Sequence, residues 1–200
     1  MLNFAIQTAH DAGRILNERF GRTLQISNKG EIDLVTEADL AAEGFIIERI
    51  KSHYPRHAIL AEESDASGIK HEGSGEFKWI IDPLDGTTNY AHGYPAFCVS
   101  VALERAGQIE LGVIYDPLRD ETFAAERGEG ATLNGRRIHV SEVDDLNRAM
   151  LCTGFPYNVR EMGDFARHFY NFIMHAQAVR RDGSAALDLA YVACGRFDGF

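Results

Sequence analysis

The sequence predicts an α+β protein, and three observations predict it. Two helical patterns open the chain, a series of short β-like runs follows between residues 58 and 125, and from about residue 149 strand and helix patterns alternate. The 200 residues, 45% hydrophobic and 25% charged, have an ordinary globular composition and enough length to bury a sizeable core.

Ile6, Ala9, Gly13, Leu16 and Phe20 recur at three- and four-residue steps and predict an amphipathic first helix. Thr36-Glu37-Ala38-Asp39 resembles a capping box and opens a second helix, which runs through Ile46, Ile47 and Ile50 to about His53. Strands are expected at Ala58 to Ala61, Phe77 to Ile81, Phe97 to Leu103, Ile109 to Tyr115 and Glu121 to Ala125. Arg105-Ala106-Gly107-Gln108 reads as the turn of a hairpin. Gly68 to Glu76, rich in Gly and Ser, reads as a flexible insertion, and the stretch holding Gly128, Gly130 and Gly135 as loop without a period. A strand to Thr153, a helix from about Arg160 to Ala176, a strand at Ala178 to Arg180 and a helix from Ser184 to Cys194 complete the series. Residues 1–145 are therefore expected to form an α+β, metal-binding N-terminal part, and residues 146–200 the start of an α/β part. Arg196 to Phe200 reads as the opening of a strand, so the C-terminal part is expected to be incomplete, with a sheet edge exposed.

The formal net charge is -10 at pH 7, which argues against general nucleic-acid binding, since such a surface repels the phosphate backbone. An anionic substrate would need cations to mask the carboxylates. Cys98, Cys152 and Cys194 form no CxxC pair and fit reduced thiols better than disulfides or a zinc site. Polar residues interrupt the first sixteen positions, so no signal-peptide core is present, and no run approaches the ~18 apolar residues of a membrane span. A cytoplasmic protein without membrane partners is expected.

Trp79-Ile80-Ile81-Asp82-Pro83-Leu84-Asp85-Gly86-Thr87-Thr88-Asn89 carries the densest chemistry. An apolar strand enters a turn with two carboxylates three residues apart, where Pro83 fixes φ and Gly86 relieves the bend. Such oxygens suit a hard cation like Mg²⁺, and the Leu84 carbonyl could add another. The N–H groups of Gly86 and Thr87 would open a short helix, a setting that receives phosphate. If the strand ending at Ala61 lies beside the Trp79 strand, Glu62 reaches the same sheet edge as Asp82. Three converging carboxylates repel one another unless a cation sits between them. Two such ions about 3.5–4 Å apart could polarise a phosphoryl oxygen and activate water. Read singly, Asp-Pro-x-Asp-Gly is an ordinary turn, Glu-Glu-Ser a solvated loop and Asp39 a helix cap.

Other motifs carry nothing. Histidines such as His53, His57, His71, His92 and His139 lack ligand spacing and are expected at the surface or in loops. Gly183-Ser184-Ala185 fails the nucleophile-elbow pattern at Ala186, Gly128-Glu129-Gly130 fails the dinucleotide pattern at Leu133, and there is no Walker-A loop. Phe165, Phe169, Tyr170 and Phe172 read as a helix packing on the core.

Asp33 to Asp39, Ala61 to Ser64, Trp79 to Asn89, Gly112 to Pro117 and Arg180 to Ala190 resemble, in order, five segments of the inositol monophosphatase family, most closely its bacterial members. The resemblance implies a layered αβαβα sandwich of the sugar-phosphatase type, homodimers, and lithium-sensitive hydrolysis of inositol 1-phosphate to inositol and phosphate. It implies about two or three Mg²⁺ per site. Glu62, Asp82 and the Leu84 carbonyl would hold the first ion, and Asp82 and Asp85 the second. Thr87, hydrogen-bonded to Asp39, would with Glu62 activate the attacking water. Gly86 and Thr87 would cradle phosphate; Gly183, Ser184, Ala185 and Arg181 would meet the substrate, a small phosphorylated polyol or sugar. Lys29 resembles a basic residue that assists a further Mg²⁺. The family also uses a Trp-Asp segment and a nearby acidic residue that would follow Phe200. Fructose-1,6-bisphosphatase, nucleotide 3′-phosphatase and histidinol-phosphatase share this chemistry. A rival of another class is a low-turnover metal- and anion-binding regulatory protein.

Overall fold

Helix α1 (Leu2–Arg19) forms on the first periodic pattern and buries Ala5, Ala9, Ala12, Gly13 and Leu16 along one face. The computed structural model describes residues 1–22, 26–28, 34–155 and 165–200. Small side chains on that stripe permit close approach: a Cβ on Gly13 would lie 2.6 Å from the Tyr115 ring. A short antiparallel ribbon, β1 (Ile26–Asn28) and β2 (Leu34–Thr36), leads into helix α2 (Glu37–His53). The predicted capping box is present. The Thr36 hydroxyl accepts from Ala38 N–H at 3.2 Å, and the Asp39 carboxylate accepts from Thr36 N–H at 2.9 Å.

A seven-stranded sheet follows in the spatial order β3 (Ala58–Ala61), β4 (Phe77–Asp85), β5 (Cys98–Arg105), β6 (Gln108–Asp116), β7 (Glu121–Glu126), β8 (Gly130–Leu133) and β9 (Arg136–Arg137). β3 and β4 run parallel, and each later pair is antiparallel. The predicted hairpin joins β5 to β6, with Ala106 and Gly107 at φ 49° and 81°, as a type I′ turn requires.

Two expected loops are corrected. The stretch around Gly128, Gly130 and Gly135 forms β8 and β9, joined by an Asn134-Gly135 turn at φ 49° and 75°. Strands of four and two residues are too short to show a period, but Asn-Gly is itself a strong hairpin signal. Gly68 to Glu76 is not a free insertion, because it covers the outer edge of β3. Ile59 N–H donates to the His71 carbonyl at 2.9 Å and Gly75 N–H to the Arg56 carbonyl at 3.0 Å. A Cβ on Gly73 would lie 2.3 Å from the Ala58 nitrogen, so this glycine is required by packing.

Beyond the sheet lie β10 (Met150–Cys152), helix α5 (Phe165–His175), β11 (Ala178–Arg180) and helix α6 (Ala185–Ala193), with Ser184 at the N-cap of α6. The predicted start of α5 at Arg160 falls outside the described residues. α1 and α2 cover one face of the sheet, burying Trp79, Val99, Val101, Leu103 and Val113. α6 packs on β5 and β6 from the other face, where Cys98 Sγ lies 3.7 Å from Ser184 Oγ. β10 and β11 pair in parallel, with Cys152 Sγ 3.7 Å from the Asp188 carbonyl of α6. α5 contacts β11. The layers thus run α-β-α-β-α. The expected boundary near residue 145 falls in the irregular chain between β9 and β10.

The aromatic group of α5 does not pack as expected. Phe169 meets Phe155 edge-on at 5.2 Å, but Tyr170 and Phe172 are 61% and 49% exposed; the Phe165 side chain lies outside the described residues. Among the described residues α5 contacts β11 of the two-stranded sheet, and a mostly apolar cavity of about 390 Å³ opens among α5, β10 and Phe200. His57 lies in the loop between α2 and β3, as expected, and is half-buried there. It stacks against Tyr54 and Phe77, and its Nδ1 accepts from Trp79 Nε1 at 3.1 Å. No helix among the described residues is long and apolar enough to cross a membrane.

Candidate active site

The parallel register of β3 and β4 pairs Ala61 with Ile81, which brings the next residues, Glu62 and Asp82, together at the carboxyl ends of both strands. Glu62 opens the short helix α3 (Glu62–Ala66). The bend expected after Ile81 is instead a bulge: β4 continues to Asp85, and its register against β5 shifts between Asp82 and Asp85. Pro83 has no N–H for the ladder, and Leu84 N–H turns to Asp82 Oδ1 at 3.0 Å. Gly86 follows at φ 103°, where a Cβ would lie 2.8 Å from the Ala96 carbonyl oxygen; only glycine fits both the angle and the space. Helix α4 (Thr87–Ala91) starts immediately after it.

Asp39 lies wholly buried behind Thr87. The Thr87 hydroxyl is 3.0 Å from both Asp39 Oδ1 and the Leu84 carbonyl, so its single proton has two acceptors in reach. Burial raises the Asp39 carboxyl above its ordinary range, against the opposing pull of hydrogen bonds from Thr36 and Thr87. Asp82 is raised much further, first by burial, then by the charges of Glu62 and Asp85 and by hydrogen bonding with Glu62. Asp85 is raised by burial and restrained by three donors: Ser184 Oγ at 2.7 Å, Ala186 N–H at 2.6 Å and Ala185 N–H. Asp85 therefore caps α6 from another element, a favourable place for a negative charge.

A cavity of about 520 Å³ joins these parts. Glu62, Asp82, Asp85, Gly86, Thr87, Arg181, Gly183, Ser184 and Ala185, all singled out from sequence, line it together. Asp39 and Leu84 lie behind the wall, reached through Thr87. Lys29, and Asp33 of the first motif, lie outside the described residues. Among the described residues, no three His, Cys, Asp or Glu side chains already gather as an ion's ligands. The donor set nevertheless fits a hard cation, since it is all oxygen and burial, with the charges of Glu62 and Asp85, disfavours an ionised Asp82 unless a cation is near.

Sequence reasoning missed several positions. Thr88, Gly154, Phe155 and Asp188 also line the cavity. Phe155 lies 5.2 Å from the Arg181 guanidinium and follows the carboxyl end of β10, as Arg181 follows that of β11. The tendency of ligands to sit at the carboxyl ends of parallel strands would have pointed to Phe155. Asp188 is 1% exposed, and neither of its carboxylate oxygens has a hydrogen-bond partner among the described residues. Burial, then the charges of Asp182 and Asp85, push its carboxyl up to about 7. Asn89 closes the wall: its amide donates to the Ala96 and Asp182 carbonyls, both at 2.7 Å.

The chain matches the inositol monophosphatase family over residues 1–200. It is 44% identical to Nus factor SuhB of Pseudomonas aeruginosa, covering all of this chain and 75% of that one. Extragenic suppressor protein suhB of Bartonella henselae superposes with a TM-score of 0.92 at 43% identity, covering 98% of this chain and 75% of that chain. Inositol monophosphatase of the cyanobacterium Anabaena superposes with a TM-score of 0.84 at 46% identity, covering 98% and 71%.

Proposed function

Since this chain belongs to the inositol monophosphatase family, we propose that it carries a Mg²⁺-dependent phosphatase site for small phosphate monoesters, inositol 1-phosphate first among them. The observation that carries this reading is the crowding of Glu62, Asp82 and Asp85 in one cavity, with Asp82 raised well above the usual carboxyl range. Glu62, Asp82 and the Leu84 carbonyl would hold one ion, and Asp82 and Asp85 a second. Bound there, Mg²⁺ supplies charge neutralisation and Lewis-acid polarisation of a phosphoryl oxygen.

The chain's own residues do the remaining work. Thr87 Oγ1, held by Asp39, orients the attacking water, and Glu62 accepts its proton. The N–H groups of Gly86 and Thr87 face the phosphate. Arg181, Gly183, Ser184 and Ala185, which line the same cavity, meet the hydroxyls of a polyol or sugar. Fructose 1,6-bisphosphate, nucleotide 3′-phosphates and histidinol phosphate are rivals inside the same chemistry. Lithium sensitivity, dimerisation and a cytoplasmic setting belong to the same reading.

Phosphate release from inositol 1-phosphate, measured against Mg²⁺ concentration, tests it. Turnover should require Mg²⁺, and Asp85→Asn should lower it by about 10³-fold, equivalent to several kcal/mol of lost charge stabilisation. A second reading is suggested by the relatives called Nus factor, a name that states no activity. On that reading the site binds cation and anion with little turnover. Mg²⁺ binding without phosphate release from any of the four substrate classes would favour it and sink the first.

A further inference from the structure

We propose that Glu43 is a positioning residue for Glu62, a buried carboxylate of α2 that fixes where α3 begins at the cavity. The inference rests on the phosphatase reading for its consequence and on geometry for its content. Glu43 is 4% exposed. Its Oε2 accepts from Glu63 N–H at 2.8 Å; its Oε1 accepts from Ser64 N–H at 2.9 Å and from the Ser64 hydroxyl at 2.5 Å. Two of these donors are first-turn backbone N–H groups of α3, which helix geometry leaves without intrahelical partners, and its own N-cap, Ala61, makes no side-chain cap bond. The cap is supplied from another helix, 20 residues earlier in the chain.

Four residues before Glu43 on α2, Asp39 is buried and holds Thr87 at 3.0 Å. A helix rises about 1.5 Å per residue, so the backbone positions of the two residues are about 6 Å apart along one axis. One grips the element bearing Thr87, the other the element bearing Glu62. These are the two groups assigned to the attacking water. Their relative placement is therefore set by a single helix anchored through Ala42, Ile46 and Ile50 in the core, and not by the loops between them. The chemistry also requires a carboxylate, since all three partners are donors and only an acceptor-only head satisfies them together. A glutamine would set its NH₂ against at least one of these donors.

The test compares Glu43→Gln and Ser64→Ala with the parent chain. Amide hydrogen exchange is read at Glu63 and Ser64, Mg²⁺ affinity by calorimetry, and KM and kcat for inositol 1-phosphate where turnover occurs. In Glu43→Gln, protection of the two amides should fall about tenfold. Mg²⁺ affinity should fall about 10–100-fold, as when a ligand's supporting partner is lost. Substrate KM at saturating Mg²⁺ should move less than about threefold. Ser64→Ala, which keeps both backbone bonds, should move Mg²⁺ affinity the same way by a smaller factor, and it carries the test should Glu43→Gln not fold. Amides that lose protection while Mg²⁺ affinity stays at the parent value would reduce Glu43 to a structural cap and overturn the proposal. If the parent is inert but its Mg²⁺ affinity still falls on substitution, catalysis fails and the positioning role stands.

Discussion

Two pairs of parallel strands point their carboxyl ends into one cavity, and they are held in very different ways. β3 and β4 belong to the seven-stranded sheet, with Trp79, Val101 and Leu103 buried beneath α1 and α2. That pair delivers Glu62, Asp82 and Asp85. β10 and β11 form a separate two-stranded sheet whose covering helix leaves Tyr170 and Phe172 largely in solvent. That pair delivers Phe155 and Arg181. The groups assigned to cations and water stand on the deep core, and part of the wall facing the rest of the substrate stands on a shallow one. Placement is thus firmer for Glu62, Asp82 and Asp85 than for Phe155 and Arg181.

The sharpest way to break this contrast is by truncation on each side. Trp79→Ala, which removes a ring packed against Phe4, Tyr54 and His57, should destabilise the chain by about 3–5 kcal/mol in a denaturant titration. Phe172→Ala, on the half-exposed face of α5, should cost less than about 1 kcal/mol. Equal losses would mean that the two sides share one core.

Asp188 sharpens the contrast through pH. Its carboxyl sits at about 7 in the fold against 3.8 as the ordinary value, so the folded chain holds a proton that the unfolded chain has released. Stability linked to this group is full below about pH 4 and is lost as pH rises through about 7. Asp188→Asn, measured with chelator present, should match the parent below pH 4 and exceed it above pH 7 by on the order of 2–4 kcal/mol. A gap that stays flat with pH would refute the assignment.

An effect smaller than those at Trp79 and Asp188 joins the two sides. Asn89→Ala removes both amide donations and should cost about 1–2 kcal/mol, while raising KM for inositol 1-phosphate more than it lowers kcat. An unchanged KM would show that the second wall holds its place without α4.

Legibility in the sequence followed contact distance. The Thr36 capping box, the β5–β6 hairpin and the strand at Ala58 to Ala61 are local and were readable. The meeting of Glu62 and Asp82 needed only one conditional, that two successive strands pair in parallel. Asp85 at the start of α6 could not be read from spacing, because Ser184 lies 99 residues away. Nor could the isolation of Asp188 or the exposure of Tyr170, since a side chain's surroundings are not encoded in its own periodicity. The Asn134-Gly135 turn is the opposite case, a local signal that was present and outweighed by the strands' shortness.

Asn89 spends both amide hydrogens on two separate loops, one before β5 and one before α6. The segment that would choose among sugars is therefore not a replaceable module. Redesign of Arg181 to Ala185 for a bulkier alcohol would be transmitted to the turn proposed to receive phosphate. Divergence in substrate preference should accordingly proceed by paired changes on both loops, and single exchanges should trade selectivity against speed.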